Sequence, residues 1–481
     1  MKICLLAEGC YPYVAGGVSS WIQMLIQGMP EHEFVILAIG AEKKLRGHFK
    51  YEIPKNVTEI REYFLDEYLS KGHAPRKFSG HKRRLTQTQR DAVLSLLRGT
   101  LRDWRELFAL FGESASFLPN DFLMSMDFLD IITELCENEY KNTPFRDTFW
   151  TVRSILLPVL NLLKCPVPEA DIYHTVATGY AGLLGAKFKA ATGKPFLVTE
   201  HGIYTREREE EILKADWVSV YFKQTWISFF TSLSRAAYEE ADRIVSLYYG
   251  ARRIQISLGA SLEKCLVIPN GISMERFADI SPIPEEPHAL TIGAVIRVVP
   301  IKDIKTMIYS FDLVKSSRPD AVLYLIGPCD EDPDYYRECT DLIASLGCRD
   351  IHFTGRVNVA DWLPRLDMVI LTSISEGQPF VLLEAMAARR PVLATNVGSC
   401  REIIEGFPDE FGPCGEVAPV MNPAQIARGI LKIGESTAVM RSLGENGWRR
   451  ADKYYRDSDF LNSYKILYQE VMNEWQASAL S

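Results

Sequence analysis

The chain reads as two doubly wound α/β halves, and three observations lead there. Short apolar runs alternate with segments of helical period, the pattern of strands and crossover helices in a parallel sheet. The alternation occurs twice, once before about residue 280 and again from Ala289. Between the two sets lies ISPIPEEPH, Ile280–His288, a stretch with three prolines and two glutamates that suits a linker. At 481 residues the chain also exceeds one ordinary hydrophobic core.

Taken in order, Lys2–Ala7 is a buried strand, followed by a Gly-rich loop, an apolar helix over Val18–Met29 and a strand over Phe34–Ile39. A long section then interrupts the alternation. Residues 71–90 are basic and turn-rich, and helical patterns follow at Asp91–Phe111, Asp121–Asn142 and Thr148–Lys164. These make a helical insert over about 65–168. DIYHTVA (171–177), GYAGLLGAKFKAATG (179–193) and PFLVTEHG (195–202) then read as strand, helix and strand. An aromatic helix over about Trp217–Ala241 leads to the strands RIVSLY (243–248) and KCLVIPNG (264–271). The second set has strands at ALTIGAVI (289–296), AVLYLIG (321–327), IHFTG (351–355), MVILTS (368–373) and PVLATN (391–396). The expected domains are therefore 1–280 and 281–455, with a C-terminal helix over 456–481 that can pack on either half.

Composition excludes several classes of function. Hydrophobic content of 47% and charged content of 24% are ordinary globular values. A net charge of −8 argues against a general nucleic-acid binder. The ten cysteines form no C-x-x-C pair, which fits reduced thiols better than a disulfide framework or a zinc site. The apolar run Ile3–Ala7 is too short for a signal-peptide core, and no run approaches the ~18 residues of a membrane span. These features predict a cytoplasmic protein.

Four constellations carry chemistry. In SEGQPFVLLEAMA (375–387), Glu376 falls just past a strand, Pro379 suits a first helical turn, and Glu384 falls in the second turn. Free N–H groups over Gln378–Val381 at that helix start favour a phosphate. Two glutamates eight apart also arise by chance among 62 acidic residues, so it is the strand-end position that points to a ligand. In AVIRVVPIKDIKT, Arg297 and Lys302 sit at the next strand end, where a guanidinium fork and a lysine can grip a diphosphate; a solvated basic turn is the alternative. In GCYPYVAGGVSS, Gly16 and Gly17 before a helix allow close backbone approach. The G-x-G-x-x-G spacing is missing, which argues against a dehydrogenase. In TEHGIYTRER, His201 can donate to a hydroxyl, join Glu200 as a weak metal pair, or be merely structural. DEDPD (330–334) looks like an acidic helix start rather than a metal site.

Together these residues resemble the retaining glycosyltransferases of family 4, which have the GT-B fold of two Rossmann-like domains. The pattern is Gly16-Gly17, His201, Pro269-Asn270-Gly271, Arg297-x4-Lys302, Gly355-Arg356-Val357 and Glu376-x7-Glu384, in that order. The opening MKICLLAEGCYPYVAGGVSSW, the helical insert and TEHGIYTRERE are similar to one branch, the cytosolic glycosyltransferases of Pel-type exopolysaccharide systems (PelF-like).

The resemblance implies a UDP-sugar donor, an oligo- or polysaccharide acceptor, inner-membrane synthase subunits as partners, and no metal or other cofactor. It assigns Arg297 and Lys302 to the diphosphate, Glu384 to the ribose, and Glu376 and His201 to the donor sugar. Gly377, Gln378, Phe380 and Val381 supply backbone contacts, Gly17 approaches a phosphate, and Gly355–Val357 lie beside the base. The family wording after the first glutamate is often Gly-Phe-Gly; here it is Gly377-Gln378-Pro379-Phe380, which bears on donor choice. Other readings are a UDP-sugar epimerase, a phosphorylase, or a non-catalytic nucleotide-sugar-binding scaffold. The basic 71–90 segment, with Lys82, Arg83 and Arg84, is a candidate docking surface or, in preference, a solvated loop, and the aromatic 218–233 stretch a candidate docking surface or, in preference, a buried core helix.

Overall fold

The structure is a computed structural model that describes residues 1–67, 85–115, 117–286, 288–406 and 411–480. Most of the 71–90 segment, including Lys82, Arg83 and Arg84, lies outside the described residues. The chain divides into two units. The first comprises 1–246, 252–267 and 465–481; the second comprises 247–251 and 268–464.

The first unit is built on a parallel sheet of seven strands: β1 Lys2–Glu8, β2 Glu33–Gly40, β3 Val57–Phe64, β4 Ile172–Thr175, β5 Phe196–Glu200, β6 Arg243–Ser246 and β7 Cys265–Val267. Their order is β3-β2-β1-β4-β5-β6-β7, so the winding reverses between β1 and β4. β1, β2, β4 and β5 are apolar runs buried on both faces, as crossover helices require. β3, VTEIREYF, was not anticipated. It is an edge strand with charged residues along it, a composition that blunts an open edge and hides the strand from an apolar-run criterion.

The helical insert shares the first unit's hydrophobic core: Leu94, Phe111, Phe128 and Leu157 are buried with Leu6, Phe188 and Phe196. The expected helix Asp91–Phe111 is two helices, Gln87–Leu97 and Arg105–Phe111. The break is at Gly99, whose φ of +72° ends the first helix, and a Cβ there would fall 2.6 Å from Ser228 Cβ. The aromatic 218–233 stretch is not a free surface. It enters the helix Lys223–Glu240, where Trp226, Phe229, Phe230 and Leu233 are buried in this core, and only Ser219, Val220 and Tyr221 ahead of it and Gln224 within it are exposed.

The second unit has a parallel sheet of six strands: β8 Thr291–Val295, β9 Val322–Ile326, β10 Ile351–Gly355, β11 Met368–Leu371, β12 Val392–Thr395 and β13 Gly415–Ala418. Their order is β10-β9-β8-β11-β12-β13, which reverses between β8 and β11. The short strand β13 also escaped the sequence reading. The division between units falls near residue 268 rather than 280, because Ile272, Met274, Phe277, Ile280 and Ile283 are buried in the second unit's core. Ile280 and Ile283 of the proline-rich stretch thus pack into this core, while its other described residues are exposed.

The last helix, Asp457–Leu480, starts in the second unit and belongs to the first from Lys465 onward. There Tyr468 Oη lies 2.7 Å from His174 Nδ1, Lys465 pairs with Glu31 at 2.8 Å, and Arg243 pairs with Glu474 at 2.5 Å. No helix among the described residues is long and apolar enough to cross a membrane.

Candidate active site

In the second unit, Arg297 and Lys302 follow β8 and Glu376 follows β11, so all three lie where the winding of the sheet reverses, the usual ligand position in such sheets. The two loops are fastened together. Ile374 N–H donates to Ile301 O at 2.9 Å, and the Thr372 hydroxyl reaches the carbonyls of Lys302 (3.0 Å) and Asp303 (3.1 Å). Asp303 takes a left-handed conformation at φ +49°, turning the chain directly from Lys302 into the helix Ile304–Ser317.

Lys302 Nζ lies 2.5 Å from Glu376 Oε1, and both side chains are largely buried. Arg297 is more exposed and bonds Glu331 at 2.8 Å. Arg356 reaches Asp330 at 3.8 Å, while Asp332 caps the helix Pro333–Leu346 by accepting from Tyr335 N–H. The acidic 330–334 turn therefore serves as a counter-charge and a helix cap. Among the described residues, no group of three or more His, Cys, Asp or Glu is arranged to hold a metal ion.

Pro379 is the cap residue itself, and the helix runs Phe380–Ala387. No side chain caps it and no acid sits in its first turn, so the first N–H groups, at Phe380 and Val381, lack intrahelical acceptors and carry the positive end of the helix dipole. Glu384, one turn on, lies 3.6 Å from Arg276 Nη1. Burial holds its carboxyl above the usual range, and the Arg276 guanidinium partly offsets this. Arg276 Nη2 also donates to Asn358 Oδ1 at 3.3 Å, just beyond the Gly355–Val357 turn. Gly355 ends β10 at φ +70°, and Arg356 and Val357 are exposed.

Three features here were missed from sequence. The first is Arg276. The second is the fastening of Gln378 to the Pro-Asn-Gly turn: its side-chain oxygen accepts from Asn270 N–H at 2.5 Å, and its main-chain carbonyl accepts from Asn270 Nδ2 at 3.2 Å. That occupies both carbonyl oxygens of Gln378. The third is Gly398, at φ +53°, where a Cβ would come within 2.3 Å of the carbonyl oxygens of Glu376 and Gly377. All three act across long sequence separations and carry no local signal beyond a lone arginine, glutamine or glycine. Gly398→Ala must push the Glu376 loop off the helix start. We expect it to lose about a hundredfold in turnover and on the order of 1–3 kcal/mol in stability, read by product release and thermal melting.

In the first unit, Gly16 is extended and Gly17 opens the uncapped helix Gly17–Gln27 beyond β1. Gly16 N–H meets only the Tyr51 hydroxyl, at 3.4 Å. His201 follows β5, with its ring edge-on to Trp21 at 4.8 Å; its Nε2 is shut from solvent without a partner among the described residues, and burial pushes its pKa down to about 3. Glu200 cannot join it as a metal ligand. Its carboxylate accepts from Thr178 Oγ1, Tyr204 N–H, Tyr238 Oη and Gln255 Nε2, at 2.6–3.1 Å.

Comparison with known proteins fits this arrangement. The family described as "Domain of unknown function (DUF3492)" matches residues 1–263, more than half of the chain. The chain belongs to the DUF3492 family. The family described as "Glycosyl transferases group 1" matches residues 286–436, which hold Arg297, Lys302, Glu376 and Glu384. Among curated relatives, the MMP alpha-(1->4)-mannosyltransferase of Mycolicibacterium hassiacum is 26% identical over 59% of this chain and 66% of its own length, just under two thirds. The putative glycosyltransferase EpsD of Bacillus subtilis is 27% identical over 60% of this chain and 73% of its own. Among solved structures, Anabaena HepE in complex with UDP superposes with a TM-score of 0.61 at 13% identity, covering 98% of this chain and 100% of that one. Sucrose-phosphate synthase from Thermosynechococcus elongatus gives 0.62 at 14% identity, covering 98% and 99%. This DUF3492 chain has the GT-B fold, and its residues 286–436 match the glycosyl transferases group 1 family.

Proposed function

We propose that the chain is a retaining, metal-independent glycosyltransferase that moves a hexosyl or N-acetylhexosaminyl unit from a UDP-sugar to a growing exopolysaccharide of the Pel type. The observation that carries this reading is the Lys302–Glu376 pair, 2.5 Å apart, on the loops that meet where the second sheet reverses, with the uncapped helix Phe380–Ala387 a few residues beyond Glu376. When a nucleotide departs, the main need is to stabilise the charge growing on its diphosphate. Lys302, Arg297 and the N–H groups of Phe380 and Val381 supply that charge without a cation. Glu384, steadied by Arg276, accepts from the ribose hydroxyls, Gly355–Val357 lie beside the base, and Glu376 faces the donor sugar. The roles of Gly17 toward phosphate and His201 toward the donor sugar belong to the same proposal and rest on their motifs.

The UDP in the Anabaena HepE structure supports this donor without extending to a particular sugar. Work at the cytoplasmic face beside inner-membrane synthase subunits follows from the Pel-type reading. Calorimetric titration with UDP-, GDP- and ADP-sugars tests it. UDP-sugars should bind tightest, and UDP release should persist in a chelator. A preference for GDP or ADP donors removes the Pel-type assignment, and turnover abolished by chelation removes metal independence.

A further inference from the structure

The helix Phe145–Leu162 is the last helix of the insert in the first unit, within the part matched by the DUF3492 family and outside residues 286–436. From Val152 onward it is mostly buried, but its first turns are not: Phe145 and Trp150 are 44% and 55% exposed. At about 100° per residue, Phe145, Arg146, Phe149, Trp150 and Arg153 fall within an arc of about 140° on one side of the helix. Two properties of this face say what covers it.

The first is a braced aromatic ridge. Phe149 stacks on Phe145 at 6.4 Å and meets Trp150 edge-on at 5.3 Å, and it also meets the buried Phe128 at 5.4 Å. Trp150 is thus held against the core through Phe149, with more than half of its surface in water. A large ring fixed in water beside other exposed apolar surface marks an interaction site, and tryptophan is prominent among the residues that dominate interfaces.

The second is an unpaired cation. Arg153 is only 8% exposed, and its guanidinium lies 5.6 Å from the centre of the Trp150 ring. It forms no hydrogen bond or ion pair with the described residues, and its Nε is shut from solvent without an acceptor. Burial lowers its pKa, and no neighbouring carboxylate opposes that. Buried arginines are normally paired, because taking a lone charge out of water is costly. Residues 68–84, outside the described residues, contain no aspartate or glutamate and offer it no carboxylate. Arg146, on the same face, is exposed and pairs with the adjacent Asp147 at 3.3 Å, a surface contact of little energy. Asp147 itself lies outside the arc, so the face carries two cations and no acid.

Charge complementarity selects the occupant. A second copy seated face to face would oppose arginine to arginine. An anionic membrane would also meet the rest of the insert, where residues 119–164 carry seven acidic against four basic residues. A single acidic segment can address the two arginines and avoid those acids. We propose that this face docks a protein partner through a segment that brings carboxylates to Arg153 and Arg146 and apolar side chains to Phe145 and Trp150. The assignment goes beyond the transferase reading and does not depend on the donor.

The test uses the full chain as bait for a library of displayed random peptides, with those that also bind Trp150→Ala removed. Trp150 is exposed, so that variant will fold. The surviving peptides should be rich in Asp or Glu together with Leu, Phe or Trp. Fluorescence anisotropy should show their affinity falling at least about tenfold in Arg153→Met. Arg153→Met should also melt at the wild-type temperature or above, because it removes an uncompensated buried charge and nearly keeps the volume. A lower melting temperature would make Arg153 a structural residue and overturn the proposal. No surviving peptides, survivors that are basic or neutral, or equal affinity for Arg153→Met would overturn it as well. Vesicles containing phosphatidylglycerol and sedimentation velocity address the two rival occupants. Vesicle binding or dimerisation that Trp150→Ala abolishes gives the face to a membrane or to a second copy, and the partner assignment falls.

Discussion

Lys302→Ala will reduce turnover by roughly two to three powers of ten, a loss comparable to removing one preorganised donor from a site of developing negative charge. Lys302 Nζ sits 2.5 Å from Glu376 Oε1, and the two side chains are only 17% and 11% exposed. Charges in such surroundings interact more strongly than they would in water, so the diphosphate role proposed for this lysine predicts a large loss. Its removal also leaves Glu376 without its counter-ion in a largely buried site. Glu376→Gln has a different signature. It frees Lys302 to hold the donor, so UDP-sugar affinity holds or improves while turnover falls. Steady-state kinetics of both variants and the double variant give the coupling directly, because residues in contact are not additive. Wild-type turnover in Lys302→Ala would remove the diphosphate role. Parallel losses of donor affinity in both variants would show that the pair only shapes the loop.

The parts of this site that could be read in the sequence are those whose signals are local. β8 and β11 are compact apolar runs, so the ends of both strands, and with them Arg297, Lys302 and Glu376, could be placed without coordinates. Glu384 followed from helical spacing. What could not be read is what holds these residues in register. Gln378 is fixed by Asn270, 108 positions away, and the close approach of Gly398 to Glu376 exists only once β12 lies beside β11. The same distinction explains the fold-level misses. β3 carries charge along an open edge, and β13, GEVA, has a glycine and a glutamate among its four residues, so neither shows an apolar run. The prolines of Ile280–His288 suggested a linker, yet Ile280 and Ile283 are buried because core packing overrides composition. The aromatic 218–233 stretch divides: Trp226, Phe229 and Phe230 are core residues, as the buried-helix reading expects, while Tyr221 and, just ahead of the stretch, Trp217 are exposed.

Acidification will destabilise the first unit through His174, with a slope approaching 1.4 kcal/mol per pH unit and a total on the order of 4 kcal/mol. His174 is fully buried in β4. Its Nδ1 meets the Tyr468 hydroxyl at 2.7 Å and its Nε2 meets the Thr199 hydroxyl at 2.8 Å. Burial, with a smaller push from His201, brings its pKa down to about 3. The unfolded chain binds a proton near pH 6.5 that the folded chain refuses until about pH 3, so stability is lost as pH falls through that window. Glu8 and Glu200 act with the opposite sign. Burial holds both carboxyls above the usual range, so the folded state keeps protons that the unfolded state has released. Wild-type slope alone therefore understates the histidine. The difference between wild type and His174→Gln isolates it, since glutamine can bond both hydroxyls and does not titrate. Two units need not unfold together, so the readout is urea unfolding followed by hydrogen exchange in β4 and β5 at about pH 4 and 6. The variant should show a flatter pH dependence by about one proton; identical slopes would mean that His174 takes up its proton without opening the contact that ties the last helix to β4.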